Sequence, residues 1–178
     1  MAKPLYLYHA SPEANLKIIE PRRKTAPEGF NMGPVIFATD SFPFATQFLV
    51  DHDDSWANGG AFGDTFFFVI GDKKRFLKND NGGTIYVVPS ETFEPFNKRE
   101  WCGKEKVKPV SRMSFSSGLN AMIITGVQVY FVKPQIYRQI QNSEDHGVSI
   151  LNNLKSENEK WGLEVKVLEL YKSSKKVV

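Results

Sequence analysis

Short β-rich runs recur along this chain without a helix between each pair. Residues 5–9, 35–39, 65–70, 84–88 and 127–132 are apolar or β-branched and are bounded by Pro, Gly or Asp, so each reads as a strand. Residues 99–102 are a further short candidate, and 107–110 an edge segment. Helix signals are fewer. Ser11-Pro12 has the form of an N-cap with proline at the first helical position, ahead of Leu16, Ile18 and Ile19, and Pro21 stops whatever helix forms. Asp40 or Ser41 can cap a second helix running to about Val50, with Phe44, Ala45, Phe48 and Leu49 facing inward. Residues 117–125 read as a short helix. Residues 143–161 read as a polar one, with Val148, Leu151, Leu154 and Trp161 on one side.

The tally is about six or seven short strands and three or four short helices. Because they do not alternate regularly, a doubly wound parallel sheet is disfavoured. The expectation is an α+β single domain with a split or strongly bent mixed β-sheet flanked by short helices. Its core would span residues 1–133. Residues 134–178 would form a helical or strand extension packed on that core, with residues 163–170 either a strand or a continued helix and the last eight a frayed basic tail. Residues 21–34 carry Pro, Gly and the basic run Arg22-Arg23-Lys24, which suits a loop and a lid over a ligand. Residues 51–64, rich in Asp and Gly, read as another loop, and 71–83 as polar with turns at both ends.

At 178 residues, 41% of them hydrophobic and 14 of them Phe, the chain can bury an aromatic-rich core. Net charge is +3, which permits an anionic ligand without requiring nucleic acid. A single cysteine, Cys102, excludes an internal disulfide and points to a reducing, cytoplasmic setting. The first residues do not have the form of a signal peptide, and no apolar run approaches the ~20 residues of a membrane span, so no membrane partner is expected. His52-Asp53-Asp54 has metal-type ligands at poor spacing, and no metal is expected. P-loop and Rossmann glycine patterns are absent from the sequence.

The most informative phrase is Leu7-Tyr8-His9-Ala10-Ser11, a strand expected to end on a histidine followed by a tight turn. About 25 residues later, Val35-Ile36-Phe37-Ala38-Thr39 leads into a helix signal. Six residues separate Ala38 from Ala45, and Phe48 follows. In these features the chain resembles the ADP-ribosyltransferase superfamily, in the branch marked by His, Tyr and an acidic residue on three successive core strands. That branch includes diphtheria-type toxins and the poly(ADP-ribose) polymerases. Its His-Gly-Ser/Thr motif stands here as His9-Ala10-Ser11. Its Gly-Ile-Tyr-Phe-Ala motif matches at Phe37-Ala38, with Ile36 in place of the stacking Tyr. Glu100-Trp101 is the nearest match to the acidic motif. The resemblance covers about residues 5–110.

The resemblance implies NAD as substrate, cleavage of its nicotinamide–ribose bond and transfer of ADP-ribose to an acceptor that is a protein, a nucleic acid or a small molecule. Such cleavage builds positive charge on the ribose, which a nearby carboxylate stabilises; that role falls to Glu100. His9 would hold the adenosine-side ribose, and the backbone of Ala10 the nicotinamide carboxamide. Tyr8, Ser11, Ile36 and Phe37 would line the pocket, and Arg22 and Arg23 would pair with the pyrophosphate. Tyr8, Phe37, Tyr86 or Trp101 would replace the missing stacking wall. Ala10 and Ile36 equally suit a catalytically inactive module of the same fold that binds a nucleotide or a protein. An RNA 2′-phosphotransferase-like activity is a further member of the superfamily's repertoire. The bland readings are a structural His9, a solvated charged turn around Glu100 among Lys98, Arg99, Lys104 and Lys106, and an exposed Arg22-Arg23 loop.

Overall fold

A computed structural model describes residues 3–22, 33–145 and 147–156. In chain order the elements are β1 (Tyr6–Ser11), β2 (Ile36–Thr39), α1 (Phe42–Thr46), β3 (Ala57–Phe62), β4 (Thr65–Ile70), α2 (Lys73–Asn79) and β5 (Gly83–Pro89). There follow β6 (Phe93–Pro95), β7 (Glu100–Gly103), β8 (Ser111–Phe115), α3 (Gly118–Ile124), β9 (Gln128–Phe131), α4 (Pro134–Gln141) and α5 (Val148–Ser156). The fold is mixed α+β with two sheets and short helices.

The chain divides into two compact units, residues 1–49 with 81–118, and residues 50–80 with 119–178. This is a different partition from the expected core ending at residue 133. Residues 50–80 leave the first unit and return to it at 81. The segment from Pro134 belongs to the second unit, because Ile136, Tyr137 and Ile140 of α4 pack on Phe67, Val69, Tyr130 and Val132.

The first unit holds a six-stranded sheet in the order β6-β7-β2-β1-β5-β8, with every neighbouring pair antiparallel. Its core is Leu7, Ile19, Ile36, Ala38, Tyr86, Val88, Phe93 and Val107. The Ser11-Pro12 helix does not form. Ser11 is instead the last residue of β1, buried, with its Oγ accepting from the Glu13 N–H at 3.2 Å. Asn15 takes a left-handed φ of 65°, which breaks a helix, and Ile19 then bridges to Val107. Ser41 does cap α1, its Oγ accepting from the Phe44 N–H at 3.3 Å. The helix is only five residues long and tightens into a 3-10 turn at Gln47–Leu49, which leaves Phe48 exposed while Ala45 and Leu49 are buried.

The second unit holds a three-stranded sheet, β3-β4-β9, with β4 and β9 parallel. Residues 57–62 form a strand where a loop was expected. Gly60 has a packing reason: a Cβ there would stand 2.4 Å from the Phe67 ring of the partner strand. The segment 71–83 contains α2, capped by Asp72, whose Oδ1 accepts from the Arg75 N–H at 3.0 Å. Residues 163–178 lie outside the described residues, as does the end of the expected polar helix.

The described part of that helix is α5, and Asp145 fastens its start. Its carboxylate accepts from the Gly147 N–H at 3.0 Å and the Ser149 N–H at 2.8 Å. Hydrogen bonds from Ser149, hydroxyl first and backbone second, with a smaller one from Gly147, bring its pKa down from 3.8 to about 2. A lowered folded-state value means the contribution is complete above the unfolded value and is lost as pH falls through the folded one. Protection of the Ser149 and Leu151 amides, taken relative to the intrinsic exchange rate at each pH, is therefore expected to fall as pH drops from 3.8 to about 2. Asp145→Asn should remove that acid sensitivity. An unchanged profile in the variant would exclude Asp145 as its source.

Candidate functional site

The three strands that carry His9, Ile36-Phe37 and Glu100 lie side by side as β1, β2 and β7. In antiparallel ladders, paired residues project to the same face and neighbours along a strand to opposite faces. Tyr8 pairs with Thr39, and Thr39 with Glu100, so Tyr8, Thr39 and Glu100 form one row on one face. Phe37 and Cys102, paired with each other, join that face. His9 projects to the other, where its ladder partner is Tyr86. Ala38 and its partner Trp101 share His9's face. The packing agrees: Leu7, Ile36, Ala38, Tyr86 and Val88 form the core cluster, and Trp101 packs against it.

Three expectations are corrected by this register. His9 and Glu100 stand on opposite faces and do not converge on one point. Ile36 is 2% exposed and packed among Leu7, Tyr86 and Phe93, so it is core and not a wall open to a ring. His9-Ala10 is not followed by a tight turn. β1 continues to Ser11, with Ala10 paired to Ile85 and Ser11 to Thr84.

His9 does have a defined task. Its Nδ1 lies 2.7 Å from the Phe37 carbonyl oxygen. A carbonyl only accepts, so Nδ1 carries the proton and, in neutral imidazole, Nε2 holds the lone pair. β1 and β2 share a single paired position, Tyr8 with Thr39, whereas β1 and β5 share six. The imidazole thus ties β1 to β2 where their ladder has opened.

Glu100 begins β7 and is half-buried. Its Oε2 accepts from Asn97 Nδ2 at 2.6 Å, while Asn97 Oδ1 accepts from the Glu100 and Arg99 N–H groups, each at 2.9 Å. Asn97, which the sequence reading passed over, therefore orients the carboxylate. Around it the face is aromatic: Tyr8 meets Phe42 edge-on at 5.2 Å between centroids, and Phe37 meets Phe96 at 5.2 Å. Burial pushes the Cys102 thiol pKa up, which keeps it protonated at neutral pH.

The remaining candidates are engaged elsewhere. Arg22 makes a surface ion pair with Glu13, Nη1 to Oε1 at 2.7 Å, and this pairing raises the arginine's pKa and lowers the glutamate's. Arg23 lies outside the described residues, as do residues 24–32 of the expected lid. Tyr86 is fully buried and bolted by its hydroxyl, which donates to the Glu13 carbonyl at 2.8 Å and accepts from the Leu16 N–H at 3.0 Å. It has no face left for a ligand.

In the second unit, His52 Nδ1 lies 2.8 Å from the Val50 carbonyl oxygen, and its ring packs edge-on against Phe68. Asp53 accepts from Ser55, Trp56 and Arg75. His146 is outside the described residues. Among the described residues no group of three or more His, Cys, Asp or Glu is placed to hold a metal, and no helix is long and apolar enough to cross a membrane.

A shallow groove of about 450 Å³ also lies in the first unit, lined by Glu20, Pro21, Pro34, Lys104 and Lys106. Pro21 and Pro34 are the two ends of the segment expected as a lid; none of the individual site residues expected from the sequence lines it. Comparison with protein-family models, curated proteins and solved structures finds no match to this chain.

Proposed function

We propose that this chain is a nucleotide-binding module of ADP-ribosyltransferase-like fold, which holds NAD or a related nucleotide without cleaving it. One observation carries the reading. The strands bearing the three motifs are neighbours, β7-β2-β1, yet their register sets His9 and Glu100 on opposite faces. The adjacency supports the kinship in fold; the opposition argues against a shared reaction centre. The face with Tyr8, Phe37 and Glu100 has the chemistry for a nucleoside. A half-buried aromatic ring can stack on a base or on nicotinamide, and an oriented carboxylate can accept from ribose hydroxyls. His9 acts as a positioning residue that fixes the β1–β2 spacing beneath that face.

A second reading, ADP-ribosyl transfer, is favoured by the row Tyr8-Thr39-Glu100, which places a carboxylate beside an aromatic wall. There Glu100 would stabilise the ribosyl cation as nicotinamide leaves and the acceptor's bond forms. A phosphotransferase draws no support, because Arg22 is paired with Glu13.

NAD is expected to raise the thermal midpoint of the full chain. The stabilisation is about 2.7 kcal/mol when ligand is at roughly 100 times Kd. Tyr8→Ala should weaken the effect while retaining a cooperative transition. If NAD, AMP and ADP-ribose all leave the midpoint unmoved, the nucleotide reading fails.

A further inference from the structure

The six-stranded sheet ends on two unlike edges. The β6 edge is three residues long, carries the exposed Glu94 and ends on Pro95, which has no N–H to donate. The β8 edge is five residues, Ser-Arg-Met-Ser-Phe, without proline, and its first four residues are exposed. Among the described residues no strand pairs with its outer side.

The register fixes which backbone groups that edge leaves open. The Ser90 N–H donates to the Leu5 carbonyl at 3.2 Å. Every second pair from there, Leu7–Val88, His9–Tyr86 and Ser11–Thr84, therefore exchanges hydrogen bonds between β1 and β5. Val87, Ile85 and Gly83 turn their groups the other way, toward β8, and the Val87 carbonyl accepts there from the Val110 N–H at 2.9 Å. Their partners Ser111, Met113 and Phe115 are thereby occupied. Arg112 and Ser114 aim N–H and C=O away from the sheet.

These two residues stand symmetrically about Met113, whose side chain is 54% exposed. A two-fold axis at Met113 sets Arg112 against Ser114 of a second copy, and Ser114 against that copy's Arg112, so all four open groups on each side find partners. Met113 then meets its own counterpart at the close, non-hydrogen-bonded position, with Cα atoms about 4.5 Å apart. No like charges stand directly opposite. We propose that β8 is a docking edge for a second copy of this chain, joining two six-stranded sheets into one. Five residues a side make a small contact, so the dimer is weak and fills only with rising concentration.

The test is sedimentation equilibrium of the full chain, with residue-resolved amide exchange in dilute and concentrated solution. The mass should rise from one chain toward two. The Arg112 and Ser114 amides should gain protection as the dimer fills, about tenfold at roughly nine-tenths dimer, while Met113 and Phe115 keep theirs. Met113→Glu alters only an exposed side chain and places two carboxylates opposite each other, so it should hold the parent's thermal midpoint and stay monomeric. Met113→Leu should still pair. Should Met113→Glu lose its fold, the exchange pattern of the parent decides. A parent that is monomeric at roughly 1 mM overturns the proposal. So does a dimer that Met113→Glu retains, which forms elsewhere. Full protection of Arg112 and Ser114 in the dilute monomer also overturns it, because another segment then occupies the edge.

Discussion

Gly82→Ala is expected to destabilise the protein by about 3 kcal/mol or more, the combined effect of backbone strain and a forced displacement. Gly82 has a φ of +71°, in the left-handed region, immediately before β5. A Cβ there would stand 2.1 Å from the Phe115 carbonyl oxygen and 2.6 Å from the Ser116 carbonyl carbon. Those are backbone atoms at the end of β8, which pairs Phe115 with Gly83, so no side chain can swing aside. Gly126 is the control. Its φ is +89°, but nothing lies within 4 Å of its Cβ position, so alanine there should cost only the conformational part, about 1 kcal/mol. Urea unfolding of both variants measures the difference. Equal losses would mean that the contact with β8 is not what requires glycine at 82.

Tyr86→Ala is expected to cost about 3–5 kcal/mol, as truncation of a fully buried ring does. Tyr86→Phe separates the hydroxyl from the ring. The phenol bonds both the Glu13 carbonyl and the Leu16 N–H, so its removal leaves one acceptor and one donor without that partner, at a cost of about 1–3 kcal/mol. Since Leu16 packs on the cluster of Leu7, Ile36 and Tyr86, loosening residues 13–16 should uncover His9's face of the sheet. Faster amide exchange at Leu16 in Tyr86→Phe, with β4 and β9 unaffected, is the expected pattern. Unchanged exchange at Leu16 would show that the hydroxyl does not hold the segment.

The strands legible in the sequence were those that bury apolar side chains. β4 (Thr65–Ile70) and β9 (Gln128–Phe131) contain Phe67, Phe68, Val69 and Phe131, and their composition announces them. β3 was hidden because Gly59 and Gly60 read as loop residues, and the reason for Gly60 is the Phe67 ring of another strand. β8 (Ser-Arg-Met-Ser-Phe) was hidden because it is a sheet edge whose first four residues are exposed, so no apolar period marks it. α4 was missed although Pro134 stands in its first turn, and its buried stripe of Ile136, Tyr137 and Ile140 is short.

The sequence singled out β1, β2 and β7, which the fold makes neighbours, and could not supply their register. β2 and β7 are separated by some 60 residues of chain. A shift of one residue in their pairing would have moved Glu100 to His9's face. The groove was missed for a related reason. Glu20 and Lys106 come to line one groove only because Ile19 and Val107, 88 residues apart, pair.

Nicotinamide release from NAD by the purified full chain tests the central claim most directly, with His9→Ala and Glu100→Gln run beside it. The account predicts that NAD stabilises the parent protein while nicotinamide stays at the level of the protein-free blank. Release by the parent above that blank, lost in Glu100→Gln, would contradict it, because the Glu100 face would then be cleaving the nucleotide and not only holding it.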